Sequence, residues 1–297
     1  MIGTTCLGIK HAVFSRRRFD VCFVDEASQI QEVACLGPMR TARVFVLVGD
    51  HHQLPPLVRS PAAIAGGMGV SLFKRLSDAH PHAVATLALQ YRMNEEVQAV
   101  CNTLVYDGAL RCGDASVAES RLALPHPHRA PQPRSGAPHW LPDVVAPGRP
   151  VVFANTDSAA PGAGLEARLG SLRGGVAQPS LRRGICNQTE AVLTAMVVHT
   201  LVRCGVPARS IGVIAPYRAQ LQLLRAMLAD ATVADVEVET VDRYQGRDKR
   251  CMVVSLVRSN TNNEVRVFPC ICVVCSTRRC SDLQHGWWWC AGWAVAE

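Results

Sequence analysis

Two carboxylates stand side by side at the end of an apolar run in residues 19–30, FDVCFVDEASQI. A strand tip carrying Asp25 and then Glu26 can hold a divalent cation with the first and orient a water with the second. Phosphoryl transfer asks a protein for little beyond such positioning and charge neutralisation. Taken alone, the pair suits a solvated strand end equally well. Two later strings bear on it. Residues 49–56, GDHHQLPP, end a second apolar run and offer Gly49, Asp50 and Gln53. Residues 90–94, QYRMN, place Arg92 where a strand gives way to a helix, and an Arg at such a corner can stabilise charge on a transferring phosphate. Arg92 alone would also suit an exposed helix start. Residues 241–249, VDRYQGRDK, add Gln245, Gly246 and Asp248. Gly246 lets a backbone approach a phosphate closely, while Thr240 and Gln245 supply neutral hydrogen bonds. As an isolated string, QGRD is also an ordinary turn.

The elements needed to position these residues are legible as apolar runs alternating with helical periodicity. FDVCFVDE and ARVFVLVGD predict buried strands ending in acids, and AVATLALQYR predicts a third strand. QEVACLGPM, SLFKRLSDA and residues 95–106 predict helices. Such alternation implies a parallel sheet, whose sites lie at the carboxyl ends of its strands. Residues 125–150 hold eight of the 18 prolines and predict a loop or linker. RPVVFANT predicts a strand, and a Gly-rich stretch to about Gly184 follows it. The α/β pattern then returns: a helix from Thr189 closing on Gly205, a strand in SIGVIAPY, a helix in RAQLQLLRAMLAD, and strands in VEVETVD and CMVVSLVRS. From residue 270 onward lie five of the 13 Cys and four of the five Trp, with no strand or helix period in view.

With 297 residues, about two domains are expected. A 48% hydrophobic and 19% charged composition supports a packed core and argues against a disordered chain. The net charge of +7 is compatible with a polyanionic partner. Eight Cys before residue 252 are scattered singly among apolar residues, the pattern of reduced buried thiols rather than of a disulfide framework. No apolar run approaches the ~18 residues of a membrane span, and residues 1–20 lack a secretory core, so a cytosolic or nuclear protein without a membrane partner is expected.

In order, the chain carries VDEASQ, GDHHQLPPLV, QYRMN, IGVIAPYRAQ and VETVDRYQGRDK with VSLVRSN. This series resembles the motor of superfamily 1 helicases of the 5′→3′ subgroup. With TTCLGI, LGPM, LFKRL and NQTEA it is similar to the eukaryotic DNA-replication ATP-dependent helicase/nucleases, over about residues 3–268 and least between 115 and 180. The resemblance implies an α/β fold of two RecA-like P-loop NTPase-type domains with parallel sheets, the first one incomplete. It assigns residues 1–88 to the first and 89–268 to the second, with a Pro-rich insertion at about 115–150 and an atypical tail at 269–297. ATP would lie between the domains and single-stranded DNA across them, drawn from 5′ flaps or forks. By position, Asp25 would hold Mg²⁺, Glu26 would polarise the attacking water, and Gln53 would sense the γ-phosphate beside Gly49 and Asp50. Arg92 would be an arginine finger. Gln245, Gly246 and Asp248 would close on the nucleotide, and Thr4, Thr5, Thr240 and Tyr217 would line the nucleic-acid path. The resemblance also implies a nuclear location, with the mitochondrion as the second choice, and a role in DNA replication and repair.

A motor of this kind needs G-x-x-x-x-G-K-[ST], whose backbone N–H groups cradle phosphates and whose Lys reaches the β/γ oxygens. The nearest string is GTTCLGIKH, where Ile9 follows Gly8, Lys10 is one place late, and His11 is neither Ser nor Thr. The expectation is that the phosphate loop, the nuclease and its iron–sulfur cysteines belong upstream of residue 1. After VRSN the family's second Arg motif is replaced by residues 270–297, whose C-x-C-x₂-C-x₄-C spacing is not a regular zinc pattern and reads as an altered reading frame. The chain alone is therefore expected to hydrolyse ATP negligibly. The alternatives are a non-catalytic module that binds single-stranded nucleic acid or a protein partner, and a related RNA helicase of the same subgroup.

Overall fold

The structure is a computed structural model that describes residues 1–131, 140–156, 166–168, 184–244, 247, 249–259 and 270–275. The chain divides into two compact units, Met1–Leu87 and Ala88–Glu297. Among the described residues no helix is long and apolar enough to cross a membrane.

The first unit is built on two parallel strands, β1 (Phe19–Val24) and β2 (Ala42–Leu47), joined by helix α1 (Glu32–Met39). Pairing runs from Phe19 opposite Ala42 to Val24 opposite Leu47, so both strands end at the same level. The burial expected of both strands fails: only Val24 is buried, and Phe23 is 70% and Val44 56% exposed, because a two-stranded sheet offers too little surface to cover both faces. Val24, Ala27, Cys35 and Leu72 form the core, with Leu47, Phe73 and Leu76 packed on it. Helix α2 (Leu72–Ala79) begins where Ser71 accepts a hydrogen bond from the Lys74 N–H.

The predicted strand in AVATLALQYR does not join this sheet. Only β3 (Leu89–Gln90) is extended, and it pairs in the second unit with β4 (Arg111–Cys112). The Ala88 carbonyl accepts from the Arg111 N–H of β4 at 2.8 Å, but among the described residues no strand pairs with residues 84–87, and Leu87 is left 86% exposed. The apolar composition of that run described an exposed connection.

The second unit begins with β3, helix α3 (Glu95–Cys101) and β4. Its main sheet is formed by β5 (Val151–Asn155), β8 (Ile211–Ile214), β9 (Glu237–Glu239), β10 (Cys251–Ser255) and β11 (Cys270–Cys275), in the order β5-β11-β10-β8-β9. Between β5 and β8 lie the short pair β6 (Ala167–Arg168) and β7 (Ile185–Cys186), then helix α4 (Gln188–Arg203). Helices α5 (Arg218–Met227) and α6 (Val241–Tyr244) flank β9 in sequence.

Successive residues of β10 serve opposite faces. Cys251 and Val253 join the core with Val197, Val198, Leu201, Leu221 and Leu224 of α4 and α5. Met252 and Val254 join Met93, Val97 and Cys101 on the other side. Burial on both faces is why this strand reads as an unbroken apolar run. At Gly212 of β8 a Cβ would overlap the Tyr244 hydroxyl and come within 2.8 Å of Met252 Sδ, so a larger residue would force those side chains to shift.

Two expectations fail here. Residues 270–275 are a strand, antiparallel to both β10 and β5, so the sheet is mixed and the tail enters its interior. The run CICVVC was masked by its unusual cysteine content, although it is long and apolar enough for a buried strand. The Pro-rich stretch is also more than a linker: Leu141, Val144 and Val145 are at most 5% exposed and belong to the core. The described single cysteines are free thiols, with Cys35, Cys101, Cys186, Cys204 and Cys251 buried.

Candidate functional site

Asp25 and Glu26 follow β1 directly, and Gly49 and Asp50 follow β2 after Val48, so the parallel register sets all four at one edge of the first unit. The turn that joins them is tightly specified. The Val48 N–H donates to the Val24 carbonyl at 2.8 Å, and the Ala27 N–H donates to the Val48 carbonyl at 2.8 Å. Glu26 adopts the left-handed conformation, with φ 51°, uncommon for a residue other than Gly and costly enough to need support. That support is local: the Glu26 N–H donates to Asp25 Oδ1 at 3.0 Å, and Gln29 Nε2 donates to Glu26 Oε2 at 3.0 Å.

Asp50 is organised in the same way. Its N–H donates to Ser28 Oγ, its Oδ1 accepts from the His52 N–H, and its Oδ2 accepts from Gln53 Nε2 at 2.9 Å. Gly49 must be Gly because a Cβ would stand 2.9 Å from the Ser28 nitrogen and 3.2 Å from that of Ala27. Asp25, Glu26, Gly49, Asp50 and Gln53 are therefore brought together. Ser28 and Gln29 complete the arrangement, although the sequence reading did not assign them; their only signal was adjacency to the acids. Nearby, burial together with His52 and Lys74 lowers the His51 imidazole below its ordinary value, favouring the neutral ring.

Thr4 and Thr5 lie elsewhere in this unit, before the turn Cys6–Lys10. Thr5 Oγ1 caps that turn by accepting from the Gly8 N–H, and both threonines are exposed.

In the second unit, Gln90, Met93 and Asn94 of QYRMN each have a structural reason. The Gln90 amide accepts from the Arg92 and Met93 N–H groups at 2.9 and 2.7 Å and donates to the Met93 carbonyl at 2.8 Å. Its Nε2 also reaches Gln98 Oε1 and Cys112 Sγ. Met93 is 2% exposed and plugs the core, while Asn94 caps α3 through the Val97 N–H. Tyr91 is exposed and Arg92 half-buried on the loop so formed.

Tyr217 stands just beyond the carboxyl end of β8 and Thr240 just beyond that of β9, two neighbouring parallel strands. The Thr240 carbonyl accepts the Arg243 and Tyr244 N–H groups that open α6. Gln245, Gly246 and Asp248 lie outside the described residues. Their flanks are held by Glu237, which pairs with Arg247 at 3.3 Å and Lys249 at 3.1 Å.

A polar cluster behind these strand ends escaped the sequence reading. Glu190, Asn187, Gln220 and Ser255 have no solvent exposure. Glu190 Oε2 accepts from Ser255 Oγ at 2.6 Å and from the Val257 N–H at 2.9 Å. Gln220 Nε2 donates to Ser255 Oγ and to the Asn187 carbonyl, and its Oε1 accepts from the Asn187 N–H. Burial pushes the Glu190 carboxyl up to about 7, against the opposing pull of Ser255 and Val257. The available signal was N-x-x-E at the head of an apolar helix, a spacing close to a capping box.

Among the described residues, no three metal-ligating side chains gather. The donor set at β1 and β2, one strand-tip Asp beside Glu26, fits Mg²⁺, which takes one or two carboxylates and completes its shell with water and phosphate oxygens.

Two AAA domain models match the chain, over residues 1–61 and 68–276. The DNA replication ATP-dependent helicase/nuclease dna2 of Schizosaccharomyces pombe is 41% identical over 267 residues, 89% of this chain and 18% of that protein. The DNA replication ATP-dependent helicase/nuclease DNA2 of Mus musculus is 46% identical over 266 residues, 88% of this chain and 23% of its own length. Its Homo sapiens counterpart is 44% identical over 271 residues, 89% of this chain and 24% of its own. The chain thus spans about a fifth of the length of these relatives. With one match covering most of its residues and parallel strands carrying polar chemistry at their carboxyl ends, the chain belongs to the AAA domain family and has its RecA-like, P-loop NTPase type of α/β fold.

Proposed function

We propose that this chain is part of the motor of an ATP-dependent DNA helicase/nuclease of 5′→3′ polarity, acting in DNA replication and repair. The observation that carries this reading is the acidic edge of the first unit. There Asp25, Glu26, Asp50 and Gln53 converge at the ends of two parallel strands, in a chain whose relatives are named for ATP-dependent helicase activity. Mg²⁺ held by Asp25 would neutralise charge on the phosphates of ATP. Glu26, fixed by Gln29, orients a water, and Gln53, fixed by Asp50, presents its amide to the terminal phosphate. Arg92 on the Gln90-braced loop supplies a positive charge, and Gln245, Gly246 and Asp248 complete the nucleotide contacts. Thr4, Thr5, Tyr217 and Thr240 contact the backbone of single-stranded DNA, which binds without sequence reading and with strong salt dependence. The two compact units correspond to the two RecA-like halves of the motor.

The 297-residue sequence contains no G-x-x-x-x-G-K-[ST] string, and this favours a second reading of the polypeptide on its own, a non-catalytic single-strand-binding module. Both readings expect salt-sensitive binding of a single-stranded DNA oligonucleotide, measured by fluorescence anisotropy, in preference to RNA of the same sequence. No binding at low salt would overturn both. Preference for RNA would move the chain to the RNA helicases of the subgroup. Steady-state ATP hydrolysis by the polypeptide should stay at background with DNA present. Turnover lost in Glu26→Gln would instead assign catalysis to this chain and remove the second reading.

A further inference from the structure

Three adjacent parallel strands of the second unit, β10, β8 and β9, are followed within three residues of their carboxyl ends by Arg258, Tyr217 and Thr240 respectively. In open α/β sheets this edge is where ligands bind. The resemblance assigns Tyr217 and Thr240 to the nucleic-acid path; it assigns no role to Arg258. Its side chain is only 16% exposed: Nε stands 2.8 Å from Glu166 Oε2, and Tyr217 together with Glu166 raises the affinity of the guanidinium for its proton. The same Glu166 oxygen accepts from the Ser259 N–H at 3.0 Å, while the Glu166 N–H donates to the Ser259 carbonyl at 2.8 Å. One carboxylate oxygen therefore lies in an ion pair with the guanidinium and accepts a main-chain N–H, a cation beside an N–H donor that also suits a phosphate oxygen.

The backbone that aims Arg258 is strained. Val257 has φ 73°, the left-handed region that a β-branched residue rarely enters. It is held there from both sides: its N–H donates to Glu190 Oε2 at 2.9 Å, and its carbonyl accepts from Asn187 Nδ2 at 3.3 Å. Strain of this kind persists only where its surroundings over-determine it, and it clusters at ligand clamps. The buried cluster thus spends four polar side chains on fixing the turn that presents Arg258.

We propose that Arg258 and the Ser259 N–H form a phosphate-binding site for single-stranded nucleic acid, and that Glu166 fills it as an internal stand-in until a backbone phosphate displaces it. The inference rests on the reading above that a nucleic-acid strand passes over Tyr217 and Thr240. An internal carboxylate competes with every phosphate for the site, so it lowers affinity and hides one phosphate contact from the salt dependence.

The test is anisotropy titration of a labelled oligothymidylate of about 20 nucleotides over a NaCl series. Glu166→Gln should tighten binding roughly five-fold and steepen the slope of log K against log salt by about 0.7, one further phosphate. Glu166→Ala should do the same. Adding Arg258→Gln to Glu166→Gln should cancel both gains, whereas Glu119→Gln, at an exposed acid in the same unit, should leave the slope unchanged. Thermal unfolding of each variant establishes that it folds. If the wild type binds and neither Glu166 variant alters affinity or slope, the inference is overturned and the reading of the chain stands. If neither the wild type nor Glu166→Gln binds at any salt, that reading fails and the inference with it. A gain for pyrophosphate without a gain for the oligonucleotide would overturn the assignment to nucleic acid.

Discussion

Replacing Glu190 with Gln should flatten the pH dependence of the second unit's stability by an amount the structure sets. The Glu190 carboxyl has no solvent exposure, and the groups that hydrogen-bond it, the Ser255 hydroxyl, the Val257 N–H and the Asn187 amide, are all neutral. Burial therefore dominates and raises it from 4.5 to about 7. Because the folded chain holds this proton more tightly than the unfolded chain, it binds more protons between those two values. The contribution is fully present below pH 4.5 and is lost as pH rises through 7. At about 1.36 kcal/mol for each tenfold change in proton affinity, some 2.5 kcal/mol of it disappears between about pH 5 and 8. Gln cannot titrate, so the stability difference between the wild type and Glu190→Gln should change by that amount across the window, in favour of the variant at high pH. Urea unfolding followed by far-ultraviolet circular dichroism at several pH values measures it, and other titrating groups cancel in the difference. The absolute offset also includes the amide placed against Asn187 Nδ2, 3.4 Å from Glu190 Oε1, so the slope is the diagnostic quantity. Two parallel stability curves would refute the reasoning.

Two further substitutions probe the site loops. Gln90→Ala removes the acceptor of the Arg92 and Met93 N–H groups and the donor to the Met93 carbonyl. It should cost about 2 kcal/mol, read as a lower midpoint in denaturant unfolding; an unchanged midpoint would show that water replaces the amide at no cost. Gly49→Ala drives a Cβ to 2.9 Å from a main-chain nitrogen that cannot swing away. It should cost roughly 1–3 kcal/mol and expose the first unit to limited proteolysis, whereas wild-type protease resistance would count against the close approach.

Strands β1 and β2 were readable because their apolar runs end in acids, and α2 because Ser71 precedes an amphipathic turn. The grouping of Asp25, Glu26, Asp50 and Gln53 followed, since parallel strands in register must end together. Composition misled elsewhere. AVATLAL looks like a strand, but a strand needs a neighbour to accept its hydrogen bonds. The residues 270–275 looked foreign, yet they pair with both β10 and β5. Leu141, Val144 and Val145 sit among prolines but fill the core.

By itself, then, the sequence determined the fold class, the order of the motifs and the residues that could carry phosphate chemistry, because apolar periodicity and residue type are local properties. Only the tertiary structure decided which carboxylates remain at the strand-end edge and which do another job. Glu190 and Glu166 are no different in type from Glu26. One is buried where its proton is retained, one is clasped on an Arg and a main-chain N–H, and one is held by a neighbouring amide at a strand tip. Those differences come from burial and from partners 65 to 93 residues away in the chain, which no local pattern reports.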